Sequence, residues 1–286
     1  LLKHCYSFPK LSYCLRACDP LHLQDSYEAF DASQIESLSL ILGHQLNDAS
    51  IQQSFLPVKK GGAGLRSAKQ HSAAAFIASA SLTRHIVDAI LPPHIARRSL
   101  RNAFPLLQRA TGNSTYTDLD LLSPEATQRS LSIEIDNRTH TQLLDASDNR
   151  AKARLRSLTL PHAGDWIDAI PSAALNLNMD SRSFGTAMCY RLGIPLLPQI
   201  ECPSPLCDYE QDEFGDHGMH CNDDNGVRAG RHDRIRDRIY DEAQHASLNP
   251  TKEFPGLVPG SLSRPADINV PHWIDGRKLA FDVSVT

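Results

Sequence analysis

A cluster of cysteines and histidines near the carboxyl end constrains the folding of this chain more than any other sequence feature. Four residues separate Cys202 from Cys207, and nine more lie between Cys207 and His217. Cys221 follows His217 after a gap of three residues. Thiolates and imidazoles at this spacing, in a stretch rich in turn-forming residues, are the ligands of a tetrahedral zinc site. The pattern therefore predicts a knuckle folded around a zinc ion.

Two histidines compete for the histidine position of this site. His217 leaves a loop of three residues before Cys221, whereas His220 is adjacent to Cys221, so that both side chains would reach one ion only awkwardly. We therefore predict a closed, structural zinc site with His217, and keep His220 as the alternative. The competing interpretation is a chance cluster of buried cysteines. The predicted ligands are Cys202, Cys207, His217 and Cys221.

The remaining composition indicates an intracellular protein. The chain has 286 residues, a formal net charge of -4 and seven cysteines. An odd cysteine count with loose spacing and no secretory signal argues against a disulfide framework. The longest apolar run, residues 72–82, has only about half the length that a bilayer span requires, so no membrane is expected. Because the chain starts at Leu1 and stops at Thr286 in a predicted strand, we expect a fragment of a longer protein.

The first two-thirds of the chain has the pattern of a helical region. Apolar residues follow helical spacing over much of residues 20–160. Three glycines within residues 61–64 break this pattern and predict a turn; no Gly-Lys-Ser/Thr follows, so they do not form a phosphate loop. Ser67 is a suitable N-cap for an alanine-rich helix at 68–90, which the prolines at 92–93 would end.

The last part of the chain predicts a helix followed by a β-hairpin. Residues 231–246 carry an apolar stripe at helical spacing. The final twenty residues alternate in polarity, and Asp275-Gly276 is a strong signal for a two-residue hairpin turn. The apolar face of the last strand would contain Leu279, Phe281, Val283 and Val285. We therefore predict an α+β fold.

The predicted hairpin brings two carboxylates to its polar face. With a turn at Asp275-Gly276, Asp267 would lie opposite Ser284 and diagonal to Asp282, about 7–8 Å apart at the backbone. Two carboxylates at this separation repel each other unless a divalent cation neutralises them. A Mg²⁺ ion held here would support phosphodiester cleavage. Glu253 is a possible third acid, and the alternative is a pair of solvated aspartates.

A group of arginines after the knuckle predicts a phosphate-binding surface. Several of them share one face of the predicted helix, where they could contact a nucleic-acid backbone. The alternative is a solvated face with local ion pairs to neighbouring acids. The candidates are Arg228, Arg231, Arg234 and Arg238.

Several motifs, in the same order, resemble those of certain non-LTR retrotransposons. Their restriction-like endonuclease, of the PD-(D/E)XK class, carries motifs similar to two segments of this chain. These are Arg264-Pro-Ala-Asp267 and, fourteen residues later, Asp282-Val-Ser-Val285. That family carries a Cys-Cys-His-Cys knuckle shortly upstream and an Arg-His pair similar to Arg231-His232. Phe55-Leu-Pro-Val and the segment 61–67 resemble the region that follows the reverse-transcriptase palm.

The resemblance implies both an organisation and a function. Residues 1–200 would be a helical region like a reverse-transcriptase thumb or linker, 201–230 the zinc knuckle, and 231–286 part of a restriction-like endonuclease core. Asp267 and Asp282 would bind the Mg²⁺ used to nick DNA, and the nicked strand would prime reverse transcription. The implied partners are target DNA and element RNA, in the nucleus, without a small-molecule cofactor.

The chain also departs from the family pattern. Ala266 is inserted between the proline and Asp267, Ser284 occupies the position where the motif places lysine, and no Tyr-x-Asp-Asp polymerase motif is present. Because of these departures the chain is expected to be inactive alone, and two interpretations of it stay open. One is a fragment of an endonuclease and reverse transcriptase, and the other is a non-catalytic, zinc-dependent nucleic-acid-binding remnant.

Overall fold

The structure is a computed structural model that describes residues 2–92, 98–123, 126–174, 177–202, 204–221 and 227–284. The chain divides into two compact units, Leu1–Leu196 and Leu197–Thr286. The division falls close to the predicted boundary at residue 200. The second unit contains both the predicted knuckle and the segment predicted as part of a nuclease.

The first unit is helical over its described residues. Its chain also forms short π or 3-10 turns at Leu2–Tyr6, Phe8–Leu11, Pro20–Leu23, Val58–Lys60 and Leu119–Leu121. The α-helices are α1 Ser12–Ala17, α2 Gln24–Leu42, α3 Asp48–Ser54, α4 Ala68–Ile90, α5 Arg98–Thr111, α6 Gln128–Ala146, α7 Asn149–Ser157, α8 Asp165–Asp168 and α9 Ser181–Leu192.

Helix α4 is the centre of this unit and has the predicted bounds. The Ser67 hydroxyl accepts a hydrogen bond from the Gln70 amide at 3.1 Å, which caps its first turn. Ala74 and Ile77 are fully buried, and the small alanines let α1, α2, α5 and α6 pack closely around the first half of the helix. Among the described helices, α4 alone is long and apolar enough to cross a membrane by length and composition, a test that a core helix also passes.

The glycine-rich segment before α4 forms the predicted turn. Gly61 and Gly64 have φ values of 84° and 77°, in the left-handed region that favours glycine. Gly62 is constrained by space instead, because a Cβ atom built there would lie 1.9 Å from the carbonyl oxygen of Leu56.

A buried arginine holds this turn against the rest of the unit. Arg191 of α9 is 2% exposed and donates hydrogen bonds to three backbone carbonyls. Its acceptors are the oxygens of Val58 at 2.6 Å, Gly62 at 3.1 Å and Ala163 at 3.2 Å. Burial lowers the pKa of the Arg191 guanidinium below its ordinary value. The three carbonyls compensate part of the cost of burying this charge.

The second unit combines short strands with one long helix, which confirms the α+β class. Strands β1 and β2 form one antiparallel pair, and β3, β4 and β5 form an antiparallel sheet in that order. The elements are β1 Ile200–Glu201, β2 Glu210–Gln211, α10 Asp216–His220, α11 Val227–His245, β3 Thr251–Lys252, β4 Ile268–Val270 and β5 Leu279–Phe281.

The register predicted for the final hairpin is wrong by two residues. Asp275 and Gly276 do form the turn, with φ values of 57° and 73°. However, Ile268 pairs with Phe281, and this register brings Asp267 to the level of Asp282 rather than Ser284. The arm before the turn holds two residues more than the arm after it. Pro271 directly follows β4 on the longer side of the hairpin, and because it has no N–H it cannot donate a hydrogen bond to the other strand.

Gly62→Ala should destabilise the first unit by about 3 kcal/mol, because the new methyl group would collide with the Leu56 carbonyl in a well-packed site. Gly185→Ala is the matched control, since a Cβ at that helical position meets open space and should be neutral or slightly stabilising. Urea unfolding followed by circular dichroism measures both. Equal stability of the two variants would contradict the close approach at Gly62.

Candidate metal centre

The β1–β2 hairpin positions the first two cysteines. Cys202 directly follows β1, and its amide donates to the carbonyl oxygen of Tyr209 at 2.9 Å. The amide of Cys207 donates to the carbonyl of Ser204 at 3.2 Å. These backbone hydrogen bonds fix the turn and bring both thiols to the same end of the hairpin.

Asp212 organises the segment that carries the other two ligands. Its carboxylate accepts hydrogen bonds from the amides of Phe214 at 2.9 Å, Asp216 at 3.1 Å and His217 at 2.5 Å. Burial acts to raise the pKa of Asp212, but these three donors stabilise the charged form and hold the pKa below its ordinary value. Asp212 therefore caps α10 and orients His217.

Four ligand atoms converge as the sequence predicted. The thiols of Cys202, Cys207 and Cys221 and a ring nitrogen of His217 all lie within 4.8 Å of one another. The Cys202 and Cys221 sulfurs are 3.8 Å apart, and the Cys207 sulfur is 3.4 Å from Nε2 of His217. A tetrahedral zinc site has S–S edges of about 3.8 Å and S–N edges of about 3.6 Å. The residues therefore fit zinc in both chemistry and size, while the side chain of His220 lies outside the described part of the structure.

The environment of Cys202 favours the thiolate form of its side chain. A backbone hydrogen bond from Ser204, followed by contacts with His217 and the other two thiols, lowers the pKa of Cys202 to about 7. Since the thiolate is the form that binds zinc, this environment favours metal binding near neutral pH.

The knuckle is strongly acidic. Residues 200–221 contain no lysine or arginine. This stretch would repel a phosphate backbone, so positive charge for nucleic acid has to come from other segments. Its six acids are Glu201, Asp208, Glu210, Asp212, Glu213 and Asp216.

The arginines predicted to bind phosphates have different environments. Arg231 donates from Nη2 to the carbonyl oxygen of Met219 at 2.6 Å, which ties α11 to α10. Arg238 pairs with Glu242 at 2.6 Å, one helical turn away. Arg234 is exposed, and the side chain of Arg228 lies outside the described residues. Of the described members, Arg234 is the one best placed to contact a phosphate.

The structure brings the two predicted carboxylates together. The amide of Asp267 donates to the Phe281 carbonyl at 2.9 Å, directly before Asp282. Oδ2 of Asp267 accepts from the Val283 amide at 2.6 Å and from Nε2 of His232 at 3.1 Å. Burial acts to raise the pKa of Asp267, but the Val283 amide, His232 and a hydrogen bond with Asp282 hold it below its ordinary value. The Asp282 side chain is exposed.

Glu253 lies beside this pair, but its carboxylate forms ion pairs with two arginines. Its amide donates to the Asp267 carbonyl at 2.9 Å. Its two oxygens pair with Arg236 at 2.8 Å and with Arg264 at 2.9 Å. Glu253 would have to leave both arginines before it could bind a cation.

His232 of α11 is a site residue to which the sequence analysis gave no role. Its ring lies between Asp267 at 3.1 Å and Asp233 at 3.3 Å. The hydrogen bond with Asp233, and then that with Asp267, raise the pKa of His232 above its ordinary value despite partial burial. The sequence signal for a role of His232 was its position near the start of a helix. Its partner Asp267 lies 35 residues away in the sequence, so this signal did not identify the contact.

The purified chain should contain one zinc ion, and Cys202→Ser/Cys221→Ser should lose it, because two of the four ligands are removed. Elemental mass spectrometry measures the content. Cys5→Ser/Cys14→Ser, which changes two cysteines outside the cluster, should retain the metal. A wild-type chain that folds without zinc would show that the four side chains do not form a metal site.

The contacts of His232 with Asp233 and then with Asp267 should make stability depend on pH with a definite sign. Folding raises the pKa of His232. The stabilising contribution of the protonated ring is therefore complete below the pKa of 6.5 in the unfolded chain, and it is lost as pH rises through the pKa in the folded chain. NMR titration should show a His232 pKa above 6.5 that falls in Asp267→Asn. An unchanged pKa in that variant would contradict the contact.

Comparison with protein-family models, with curated proteins and with solved structures finds no match to this chain.

Proposed function

We propose that this chain is part of a metal-dependent, DNA-nicking protein of the non-LTR retrotransposon kind. In this proposal a structural zinc knuckle precedes a restriction-like endonuclease segment. The nick would prime reverse transcription, with target DNA and element RNA as partners. The observation that carries the proposal is the meeting of Asp267 and Asp282 on neighbouring strands beside α11.

The environment of Asp267 supports a role in cation binding. Its Oδ2 already receives hydrogen bonds from the Val283 amide and from His232, so the orientation of the carboxylate is fixed. Oδ1 and the exposed Asp282 carboxylate are then the oxygens that could bind Mg²⁺, which is usually held by one or two carboxylates together with water and phosphate oxygens. The cation would supply electrostatic stabilisation of the phosphodiester transition state.

The protein's own part in this reaction would be positional. Asp267 and Asp282 would bind the cation, and His232 would keep Asp267 in a single orientation. A fixed carboxylate matters because the cation has to align both the phosphate and the attacking water. Arg234 is exposed on α11 and could contact the DNA backbone, but it lies on a different face of the helix from His232.

A second candidate function is a non-catalytic, zinc-dependent binding module. The specific observation in its favour is the state of Glu253, whose two oxygens pair with Arg236 and Arg264. Ser284 also provides no cation at the position where the nuclease motif places lysine. A module of this kind would bind zinc and nucleic acid but would not cut.

The nuclease proposal predicts that the zinc-loaded chain binds Mn²⁺, used as a spectroscopic substitute for Mg²⁺, at one site, and that nicking of supercoiled plasmid, where the whole nuclease core is present, depends on the same two aspartates. Asp267→Asn and Asp282→Asn should each lower nicking by about a hundredfold or more, because each removes a carboxylate ligand of the cation. Asp275→Asn is the matched control: it removes an exposed acid from the same hairpin, and asparagine tolerates the left-handed backbone there.

Electron paramagnetic resonance measures Mn²⁺ binding, and agarose gels measure nicking. Binding of Mn²⁺ that depends on both aspartates, without any nicking, would favour the non-catalytic module. Mn²⁺ binding that is equal in all variants would exclude the pair as a metal site.

A further inference from the structure

A cavity of about 400 Å³ in the first unit has a positively charged lining. Among the described residues, the charged side chains that line it are those of Lys3, Lys59, Arg66 and Asp168. Three cations against one carboxylate leave an excess of positive charge, which favours an anionic occupant. The volume lies within the range of small-ligand sites, about 300–1,000 Å³.

The glycine-rich turn before α4 forms one wall of this cavity. Gly64 has a φ of 77°, and a Cβ atom built there would lie 2.7 Å from Cε of Lys3. The missing side chain therefore leaves room for the stem of Lys3 to cross the turn. The positive charge comes from side chains here, so the turn differs from a phosphate loop, in which backbone N–H groups bind the anion.

Arg66 is held in a defined position at the same cavity. Its Nη2 donates to the buried Asp136 carboxylate at 3.1 Å, and its guanidinium carbon lies 5.9 Å from the centre of the Phe8 ring. Phe8 also lines the cavity. A guanidinium has five N–H donors, so donors remain after the contact with Asp136. A planar donor group beside an aromatic ring suits a phosphate that is joined to a flat base.

The two lysines differ in how freely they could receive an anion. Lys59 is exposed and has no ion pair within the part of the chain that the structure describes. Lys3 pairs with Asp168, whose side chain is 51% exposed. An exposed ion pair of this kind contributes little to stability, so a phosphate would readily displace the Asp168 carboxylate from Lys3.

The apolar part of the lining favours a nucleotide over a simple inorganic anion. Phe8, Pro9, Pro57 and Leu65 all line the cavity. An inorganic anion would leave these side chains uncovered, whereas a base and a sugar would pack against them. An acidic peptide would satisfy the lysines, but it would bring no flat ring to Phe8.

We propose that this cavity binds one nucleotide unit, either within a single-stranded nucleic acid or as a free nucleotide. The phosphate would lie among Lys3, Lys59 and Arg66, and the base would pack on Phe8. This site goes beyond the proposed nuclease function and does not depend on it, because its residues all lie in the first unit.

The test uses fluorescence anisotropy of a labelled strand of six thymidines with the full zinc-loaded chain. Lys3→Gln/Lys59→Gln should weaken binding by about tenfold, because two charge-assisted contacts with phosphate are lost. Asp168→Asn should strengthen binding by about twofold, because Lys3 then has no competing carboxylate. Lys69→Gln/Lys152→Gln removes the same charge from side chains that do not line the cavity, and should change binding less than about twofold.

Competition with unlabelled adenosine monophosphate distinguishes the two sources of the nucleotide. Displacement of the labelled strand by the mononucleotide and by an unlabelled strand at similar concentrations would assign the site to a free nucleotide. Displacement by the unlabelled strand at a far lower concentration would assign it to a nucleic acid.

Two controls keep the result interpretable. Thermal unfolding followed by circular dichroism shows whether each variant keeps its fold, and the strengthening expected for Asp168→Asn could not come from unfolding. Equal binding by the wild type, Lys3→Gln/Lys59→Gln and Asp168→Asn would overturn the proposal, as would a wild-type chain that does not bind the strand. Binding that falls only in Arg234→Gln would place the strand on α11 and would also overturn it. A peptide of repeated glutamates that binds with the same dependence on the lysines, while the strand does not bind, would identify an acidic-peptide site instead.

Discussion

The convergence of three thiols and one imidazole is the interaction on which the second unit depends. Among its described residues few apolar side chains are buried: Ala243, Ala266, Ile268 and Val270, with Cys221 at the metal site. A core this small supplies little hydrophobic stabilisation, and small domains commonly compensate with a metal or disulfides. Because the ligands come from a hairpin, a short helix and its C-cap, one zinc ion would connect most of the first part of the unit.

The first unit is stabilised in a different way. One of its core clusters is formed by helices packed around the alanines of α4, and another by α2, α9 and the segment before α4. Hydrogen bonds of buried polar groups add to this packing. Asp31 accepts hydrogen bonds from the Ala68 amide at 2.7 Å and the Ser67 hydroxyl at 2.5 Å, so α2 is joined to the start of α4. Arg191 plays a similar role for the glycine-rich turn. These contacts connect segments that are distant in sequence, which packing of apolar faces alone would align less specifically.

The sequence predicted the features that depend on local chemistry. The bounds of α4 followed from Ser67 and the prolines at its end, and the four side chains of the candidate metal site followed from their spacing. The hairpin register did not follow from the turn, because the arm containing Pro271 holds two extra residues. The arginine partners of Glu253 and the contact of His232 with Asp267 were also missed, since these partners lie 11 to 35 residues away and are set by how the strands and α11 pack. Whether the chain nicks DNA stays a prediction.

The hydrogen bond from Arg231 to the Met219 carbonyl has a thermodynamic consequence. Arg231 and His232 are consecutive residues of α11, one bonded to the helix that precedes Cys221 and the other bonded to Asp267. If metal binding to the knuckle favours the arrangement of the carboxylate pair, these two neighbouring residues of α11 would carry the coupling. Coupling of this kind is reciprocal, so a cation held by Asp267 and Asp282 would raise the affinity of the knuckle for zinc by the same factor.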